Sequence, residues 1–283
     1  METRASSVPA PNRPNPAPAS GGLHVLLAED NRVNQVVAIR TLEKLGHSVL
    51  VANNGLEALS LLDQQAFDLV LMDIQMPEMD GLTATKTIRE GERQSGSRIP
   101  IIAMTAHAMK GDRERCLEGG MDGYVSKPIS GKALEDAIAS ALQGGATTKT
   151  RSGNPTPEKM SSWDAGRVLA KLDGNEKLFH ELLEIFREES PKNLANLREA
   201  ISQGDSETVT NIAHSLKGEL GYFGISGVCE RARELEEMGR RHDLEGAARV
   251  SLAMETEILA VLNSMQYVNS MGKQSSSETG AVQ

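Results

Sequence analysis

Cysteine is scarce in this 283-residue chain, which contains only Cys116 and Cys229, far apart in the sequence. Two distant cysteines argue against a disulfide framework and against a metal site built on thiolates. Long apolar runs are absent too, since none approaches the roughly 20 residues that a membrane-spanning helix needs. No secretory signal is visible, because residues 1–22 are rich in Pro, Ala and Ser rather than apolar. These absences predict a cytoplasmic protein without a membrane span.

Basic residues are a minority as well. The chain has 30 Lys and Arg against 39 Asp and Glu, and its formal net charge is −9. An acidic chain repels the phosphate backbone of nucleic acids, so we expect no nucleic-acid partner. The sequence also lacks a Walker A loop, an Asn- and Gly-rich ATP-binding domain and a second histidine motif for autophosphorylation. No ATP-binding kinase domain is therefore expected in this chain.

Hydrophobic patterning divides the chain into two domains. In residues 23–143, five apolar strands alternate with five amphipathic helices, which predicts an α/β fold with a doubly wound five-stranded parallel sheet. Residues 163–268 have apolar side chains at helical spacing and no strand signal, which predicts an all-helical bundle of five or six helices. The remaining segments are interpreted as a disordered lead (1–22), a flexible linker (144–162) and a disordered tail (269–283).

One strand organises the first domain. The apolar run Leu69–Met72 ends on a single carboxylate, Asp73, after which Pro77 and Gly81 break the strand and allow a helix to start. Polar residues also follow the ends of three other predicted strands: Glu29 and Asp30, Thr105, and Lys127. Each of these alone could be a helix cap or a surface charge. Because the carboxyl ends of parallel strands converge on one crevice, their occurrence at four strand ends predicts a single site.

The residue types of this crevice suit phosphoryl chemistry. Three carboxylates repel one another unless a cation joins them, and oxygen ligands without Cys or His favour Mg²⁺. A phosphoryl group on Asp73 would need its charge spread over several partners. Mg²⁺, the Lys127 ammonium and the Thr105 hydroxyl could each take one phosphoryl oxygen.

Residues 23–143 resemble a response-regulator receiver domain over their whole length. The motifs that carry the resemblance are Ala28-Glu29-Asp30-Asn31, Met72-Asp73-Ile74-Gln75-Met76-Pro77-Glu78-Met79-Asp80-Gly81, Ile102-Ala103-Met104-Thr105-Ala106 and Tyr124-Val125-Ser126-Lys127-Pro128. The resemblance implies that Asp73 is the phospho-acceptor. It also implies a magnesium site, with these ligands: Glu29, Asp30, Asp73 and the main-chain carbonyl of Gln75.

The same resemblance implies a conformational switch. Thr105 and Tyr124 match the switch pair of the family, and Lys127-Pro128 matches its usual cis peptide bond. The Asp-x-Gln-Met-Pro form of the central motif is similar to receivers attached to hybrid sensor kinases rather than to DNA-binding domains. His24 and His107 are interpreted as ordinary surface or packing residues.

The second domain contains a histidine on a polar helix face. If residues 205–221 form one helix, an apolar stripe is buried and His214 points away from it, with Lys217 one turn further on. The stripe consists of Val209, Ile212, Ala213, Leu216 and Leu220. Gly218 and Gly221 leave bare backbone beside His214, which favours close approach by another protein surface. Earlier in this domain, Pro191 is expected near the start of a new helix.

The run Ala213-His214-Ser215-Leu216-Lys217-Gly218 resembles the signature of the histidine-containing phosphotransfer (HPt) domain. The resemblance extends over residues 163–268 and implies that His214 is a second phospho-acceptor, with Lys217 and Gly218 in its surroundings. One departure is the run Glu219-Leu220-Gly221-Tyr222, where the family more often has small or polar residues. This departure concerns docking specificity rather than the acceptor. His180 and His242 lack such neighbours and are given no role.

These features predict a two-component phosphorelay protein. Asp73 would accept a phosphoryl group from a histidine kinase, and His214 would pass it to, or take it from, the aspartate of a receiver. A close variant is that the chain is the C-terminal part of a hybrid sensor histidine kinase. Two other classes are ranked lower. An aspartate-nucleophile phosphatase needs a second Asp where Gln75 stands, and a non-catalytic module that titrates a kinase would not need both acceptors.

Overall fold

The computed structural model describes residues 21–105, 110–143 and 163–278. The strands are β1 (His24–Ala28), β2 (Ser48–Ala52), β3 (Leu69–Asp73), β4 (Ile101–Thr105) and β5 (Gly123–Ser126). The helices of the first domain are α1 (Arg32–Lys44), α2 (Gly55–Gln64), α3 (Gly81–Ser95), α4 (Lys110–Glu118) and α5 (Gly131–Leu142). Those of the second are α6 (Ala165–Lys171), α7 (Glu176–Gln203), α8 (Ser206–Phe223), α9 (Ser226–Arg240) and α10 (Leu244–Glu278). The predicted α/β fold followed by a helical bundle is confirmed.

The strands form one parallel sheet in the order β2-β1-β3-β4-β5. Every residue of β3 and of β4 is buried, because helices cover both faces of the sheet. Successive strand residues point to opposite faces, so Leu69 and Leu71 join one apolar core while Val70 and Met72 join the other. The carboxyl ends of β1, β3, β4 and β5 consequently lie along one edge of the sheet.

Short polar side chains fix where several of the helices begin. Asn31 caps α1 by accepting a hydrogen bond from the Asn34 amide, and Asp205 caps α8 in the same way through Thr208. The other side-chain caps are Asn54, Asp80, Ser130, Asp164 and Asn175. These caps place α1 directly after the Glu29-Asp30 pair, and they start α8 two turns before His214.

Two predictions about the helical domain need correction. Pro191 does not begin a helix but lies inside α7, which continues from Glu176 to Gln203. A proline in a helix interior costs about 3 kcal/mol. Buried apolar side chains on both sides of it, Phe186 and Leu194 among them, offset this by joining one core.

The second difference concerns the C-terminal end. α10 continues to Glu278, past residue 268, where the sequence predicted that the bundle ends and a tail begins. Each added residue of an existing helix gains one backbone hydrogen bond without a new nucleation step, and no proline stands before Glu278 to stop it. Residues 1–20 of the predicted lead, the whole predicted linker and the last five residues of the predicted tail lie outside the described residues. Over the part of the chain that the structure covers, no helix combines the length and apolar character required to cross a bilayer.

Candidate functional site

The structure brings the predicted acidic residues together at the edge of the sheet. Asp73 ends β3, and Glu29 and Asp30 follow β1, the neighbouring strand. One carboxylate oxygen from each of the three lies within 4.8 Å of the others. Glu29 and Asp73 are buried, whereas Asp30 is half-buried. The crevice that the sequence predicted is therefore a compact cluster of oxygen ligands.

Lys127 supplies the positive charge of this cluster. Its ammonium nitrogen lies 2.5 Å from Asp73 Oδ2 and 2.7 Å from Glu29 Oε2. Burial by itself would lower the pKa of Lys127, but the charges of Asp73 and Glu29 outweigh burial and raise it. Lys127 is therefore held as an ammonium that pairs with both Asp73 and Glu29.

The remaining negative charge affects the pKa values of Glu29 and Asp30, the two carboxyl groups beside Asp73. Burial raises the pKa of Glu29 above its usual range, and the Asp73 charge raises it further. Burial and the same charge raise the pKa of Asp30 to about 7. A pocket that raises the pKa of its carboxyl groups in this way is one that a divalent cation would stabilise. The all-oxygen donor set and this excess of negative charge both fit Mg²⁺.

The three carboxylates are not equally free to bind a cation. Glu29 Oε1 accepts hydrogen bonds from Asn34 Nδ2 at 2.7 Å and from the Asn31 amide at 3.4 Å, while its other oxygen contacts Lys127. Glu29 is thus held by the protein itself through both of its oxygens, and Asp73 Oδ2 is held by Lys127 at 2.5 Å, whereas Asp30 is the half-buried member of the three. The Gln75 amide donates to Asp73 Oδ1 at 3.4 Å. The Gln75 carbonyl as a metal ligand stays a prediction.

The predicted switch residues lie on β4, which pairs with β3, and on β5, the next strand outward in the sheet. Thr105 ends β4 and is buried, and its carbonyl accepts a hydrogen bond from the Lys127 amide at 2.7 Å. Tyr124 is half-buried on β5, with the Arg113 guanidinium 5.9 Å from its ring centroid, a contact that the sequence did not predict. The Lys127-Pro128 peptide bond is cis, as the resemblance implied. The switching role of Thr105 and Tyr124 stays a prediction, and His107 lies outside the described residues.

His214 lies on α8, and a network from α9 covers it. The imidazole is only 7% exposed, and its Nδ1 lies 2.9 Å from Glu236 Oε1. The other oxygen of Glu236 accepts a hydrogen bond from Lys217 Nζ at 2.5 Å, and Arg240 Nη2 donates to Oε1 at 2.5 Å. The predicted neighbour Lys217 is confirmed beside His214. The predicted polar face is thus not open, because Glu236 and Arg240 close one side of it.

Close packing of α9 on α8 produces this network. A side chain at Gly239 would meet Thr210 Oγ1 at 2.4 Å, so only glycine allows the two helices to approach here. Gly239 lies one turn after Glu236, and this approach brings the Glu236 carboxylate to the imidazole. Although burial opposes ionisation of Glu236, the hydrogen bond to His214 and the charges of His214 and Lys217 lower its pKa below the usual range.

The Glu236 contact determines which tautomer the neutral His214 ring adopts. A carboxylate can only accept a hydrogen bond, so Nδ1 carries a proton, and in the neutral form of the ring Nε2 then holds the lone pair. The HPt resemblance included Leu235-Glu236, but the contact of Glu236 with His214 was not predicted from the sequence, and Arg240 was assigned no role. The i, i+4 spacing of Glu236 and Arg240 is a weak signal, because such pairs are common on helix surfaces.

The unusual run that follows the HPt-like motif meets the first domain. Glu219 Oε1 accepts hydrogen bonds from Asn31 Nδ2 at 2.8 Å and from Asn193 Nδ2 at 3.3 Å. Burial, with the nearby charges of Glu189 and Asp30, raises the pKa of Glu219 to about 8 despite these hydrogen bonds. Burial therefore favours the neutral form of Glu219, next to the acidic cluster.

Comparison with known proteins agrees with this division of the chain. Residues 25–139 match the model of the response regulator receiver domain, and residues 181–264 match the Hpt domain. The sensor protein GacS of Pseudomonas syringae pv. syringae is 31% identical over 265 residues, covering 87% of this chain and 28% of that protein. Probable histidine kinase 1 of Oryza sativa subsp. indica is 38% identical over 155 residues, covering 44% of this chain and 16% of that protein.

Two solved structures are also similar. The receiver domain of a sensor histidine kinase from Pseudomonas aeruginosa is 40% identical, covers 44% of this chain and 99% of its own, and superposes with a TM-score of 0.40. The matched chain in the Saccharomyces cerevisiae complex of Ypd1 with the Ssk1 receiver is 31% identical. The match covers 46% of this chain and 94% of that chain, with a TM-score of 0.42. The chain spans less than a third of the length of the two curated relatives. It consists of a response-regulator receiver domain followed by an Hpt domain, the domain types of two-component phosphorelays.

Proposed function

We propose that this chain relays a phosphoryl group through Asp73 and His214. The observation that carries the proposal is the pairing of two preorganised acceptors in one chain. Asp73 faces the Lys127 ammonium within an acidic cluster. His214 has its Nδ1 engaged by Glu236, which leaves Nε2 as the nucleophile. Each acceptor thus has the charge and hydrogen-bond partners that phosphoryl transfer requires.

In the first step, a carboxylate oxygen of Asp73 attacks the phosphorus of the donor. An O–P bond to Asp73 forms, the bond between phosphorus and the donor breaks, and the donor retains that electron pair. The Lys127 ammonium lies 2.5 Å from Asp73 Oδ2 and would follow the charge onto a phosphoryl oxygen. The Thr105 hydroxyl is proposed to hold a second oxygen, and Thr105 and Tyr124 to change conformation together once that oxygen is present.

The residues that would hold Mg²⁺ in this step are Asp30, Asp73 and the Gln75 carbonyl, with Glu29 nearby. When bound, Mg²⁺ supplies charge neutralisation for the oxygens of the transferring group. The similar Pseudomonas aeruginosa receiver holds a magnesium ion in its active site cleft. The negative charge of the cluster, with one ammonium for three carboxylates, independently supports a cation here.

In the second step, His214 Nε2 attacks the phosphorus of an aspartyl phosphate. An N–P bond forms, the O–P bond breaks, and the carboxylate leaves with the electron pair. The imidazole then carries the phosphoryl group on Nε2 and the proton on Nδ1, so its ring gains positive charge. Glu236 stabilises that charge at 2.9 Å, and Lys217, whose Nζ lies 3.4 Å from Nδ1 of the same ring, is proposed to meet the phosphoryl oxygens. The reverse transfer follows the same path.

The proposed partners are a histidine kinase, which would supply the phosphoryl group, and a downstream receiver, which would accept it from His214. A second candidate is that the chain serves as the C-terminal part of a hybrid sensor histidine kinase. The similarity to GacS across both domains favours this candidate. A phosphatase of the aspartate-nucleophile type remains disfavoured, because Gln75 cannot act as the general acid.

A phosphotransfer time course tests the proposal. The purified chain is incubated with labelled acetyl phosphate and Mg²⁺. The protein-bound label is then measured after treatment with base and after treatment with acid. An aspartyl phosphate is labile in base, whereas phosphohistidine is labile in acid and survives base. We expect base-labile label first and base-stable label later. The absence of any base-labile label would contradict Asp73 as an acceptor, and the absence of base-stable label would contradict His214.

Removal of the metal should suppress the first of these steps. With EDTA in place of Mg²⁺, we expect the initial rate of labelling to fall by at least about a hundredfold, since metal stabilisation of a phosphoryl transition state amounts to several kcal/mol. Adding Mg²⁺ in excess should restore the rate. An undiminished rate in EDTA would show that Lys127 alone neutralises the transferring group.

Loss of the Glu236 carboxylate should slow the second step. Glu236→Ala leaves Nδ1 of His214 without its acceptor, and we expect transfer to His214 to fall by about 10- to 100-fold while Asp73 labelling is unchanged. Glu236→Gln, which keeps a carbonyl acceptor but no charge, should restore part of the rate. Glu234→Ala, an exposed position on the same helix, is the matched control. Equal rates in Glu236→Ala and this control would remove Glu236 from the mechanism.

A further inference from the structure

One side of α8, next to His214, lies against the receiver domain of the same chain. Asn31 Nδ2, just after the Glu29-Asp30 pair, donates to Ser215 Oγ and to Glu219 Oε1, each at 2.8 Å. At the other end of the contact, the Ile129 amide donates to the Tyr222 hydroxyl at 3.2 Å. Ile129 follows Lys127-Pro128, so α8 spans the region between the loops after β1 and β5. Asp73 lies on β3, the strand between β1 and β4, and its cluster faces this region.

The receiver helix α1 has an apolar face that its own sheet does not use. Ala38 and Leu42 pack on the sheet, with the core that contains Leu27 and Leu71. Val33 and Val37 are 0% and 3% exposed and belong instead to the core of the helical domain, with Val36 packed beside them. A helix that covers a sheet needs one apolar stripe, and a second stripe needs a second surface to cover it. α8 and its neighbours provide that surface in this chain.

α8 has two glycines near this contact, Gly218 and Gly221, and only Gly218 lies where α1 approaches the backbone. A side chain added at Gly218 would meet Asn34 Nδ2 of α1 at 3.1 Å, so the bare backbone allows α1 to lie close. A side chain at Gly221 would have no atom within 4 Å. The sequence predicted that both glycines permit a close approach, and only Gly218 does so here.

Charge is complementary along the rim of the contact. Arg40 Nη2 of α1 lies 3.2 Å from both carboxylate oxygens of Glu181, and Lys44 Nζ lies 3.0 Å from Asp173 Oδ2. Both basic groups belong to the receiver and both acidic groups to the helical domain. Exposed pairs contribute little to affinity, but they orient two surfaces as they meet.

We propose that the side of α8 formed by Ser215, Gly218, Glu219 and Tyr222 is a docking surface for this chain's own receiver, so that Asp73 and His214 exchange the phosphoryl group within one molecule. This deepens the relay proposed above and rests on it. Glu219 and Tyr222 are the first and last residues of the run in which the chain departs from the usual HPt pattern, and both contact the receiver. They select a receiver that offers an amide side chain at position 31 and a free main-chain N–H at position 129.

A zero-length cross-link reports the docked state without any phosphoryl chemistry. The Lys44 amine and the Asp173 carboxylate are 3.0 Å apart and 71% and 75% exposed, so a carbodiimide should join them as an amide with loss of water. Val37→Glu buries a charge in the contact and should reduce the cross-link at least about tenfold. Leu56→Glu, at an exposed apolar position of the same domain, should leave it unchanged. A wild-type chain that forms no such link, or equal yields in the two variants, overturns the docking surface.

The two glycines of α8 give a second matched pair. Gly218→Leu should prevent the cross-link, because its side chain would occupy the place of Asn34, whereas Gly221→Leu should not. Mixing isotopically heavy and light chains decides whether the link is internal. Links within single chains support the proposal, and links predominantly between heavy and light chains overturn it.

Transfer itself is then compared within and between molecules. In the wild-type chain, base-stable label should appear at a rate independent of protein concentration. An equimolar mixture of Asp73→Asn and His214→Gln chains at about 10 µM should form it about a hundredfold more slowly, because tethering supplies an effective concentration in the mM range. A mixture as fast as wild type overturns transfer within one molecule but leaves the relay standing. A wild-type chain that cross-links yet forms no base-stable label overturns the relay itself.

Discussion

Asp73→Asn should abolish the labelling of this chain by acetyl phosphate. The amide of asparagine is not a nucleophile, so we expect the rate to fall by at least about a thousandfold. The substitution keeps the size of the side chain, and the amide oxygen can still accept the hydrogen bond that Asp73 Oδ1 receives from the Gln75 main chain. Lys127 keeps Glu29 as a partner at 2.7 Å, so the pocket should stay folded. Intact-mass spectrometry after incubation with acetyl phosphate and Mg²⁺ measures the effect.

Asp80→Asn provides the control for this experiment. Asp80 is exposed in the loop that follows β3, where its side chain caps α3 by accepting a hydrogen bond from the Thr83 amide. Asparagine caps helices equally well, so labelling should be unchanged. Base-labile label that persists in Asp73→Asn would place the acceptor elsewhere in the cluster, with Asp30 as the first candidate because its carboxylate is the more accessible neighbour.

The receiver site could be predicted from the sequence because its residues follow local rules. The apolar pattern predicts strands at residues 48–52 and 123–126, and β2 and β5 have these bounds, since short apolar runs between turn residues leave little choice. Once a parallel sheet is predicted, its topology alone brings Glu29, Asp73 and Lys127 to one edge. No long-range contact has to be guessed to find this site.

The surroundings of His214 could not be predicted in the same way. Glu236 and Arg240 lie on a different helix, and their reach depends on the close packing allowed by Gly239 against Thr210. Pro191 shows the same limit, because a local rule favoured a helix start there and the packing of the core prevailed. Where tertiary contacts outweigh local preference, a single sequence does not show the outcome.

The sequence of α1 contains the apolar residues that make the contact between the domains, but the hydrophobic pattern alone did not predict that contact. α1 carries Val33 and Val37 in addition to Ala38 and Leu42, which is more apolar surface than one side of a sheet needs. Counting apolar residues identifies the helix, but only their angular separation shows two faces. The unusual Glu219 and Tyr222 were assigned to docking specificity from the sequence, and the structure gives both a partner in the receiver.

His214→Gln should separate the two halves of the relay. The variant should accept label at Asp73 at the wild-type rate, because no catalytic group of the acidic cluster is changed. Base-stable label and onward transfer to a receiver should both fall by at least about a thousandfold, since glutamine has no nucleophilic ring nitrogen. The glutamine amide can still donate to Glu236, which keeps a partner along with Lys217 and Arg240.

His180→Gln is the matched control, because His180 is an exposed histidine on α7 whose ring lies edge-on to Phe179. It should form base-stable label as the wild type does. If base-stable label instead persisted in His214→Gln and disappeared in His180→Gln, the acceptor would lie on α7, and the Glu236 network would serve only to hold α8 and α9 together. Loss in His214→Gln alone ties onward transfer to the one imidazole whose Nδ1 is engaged by Glu236. The geometry of that contact then explains why Nε2 is the reacting atom.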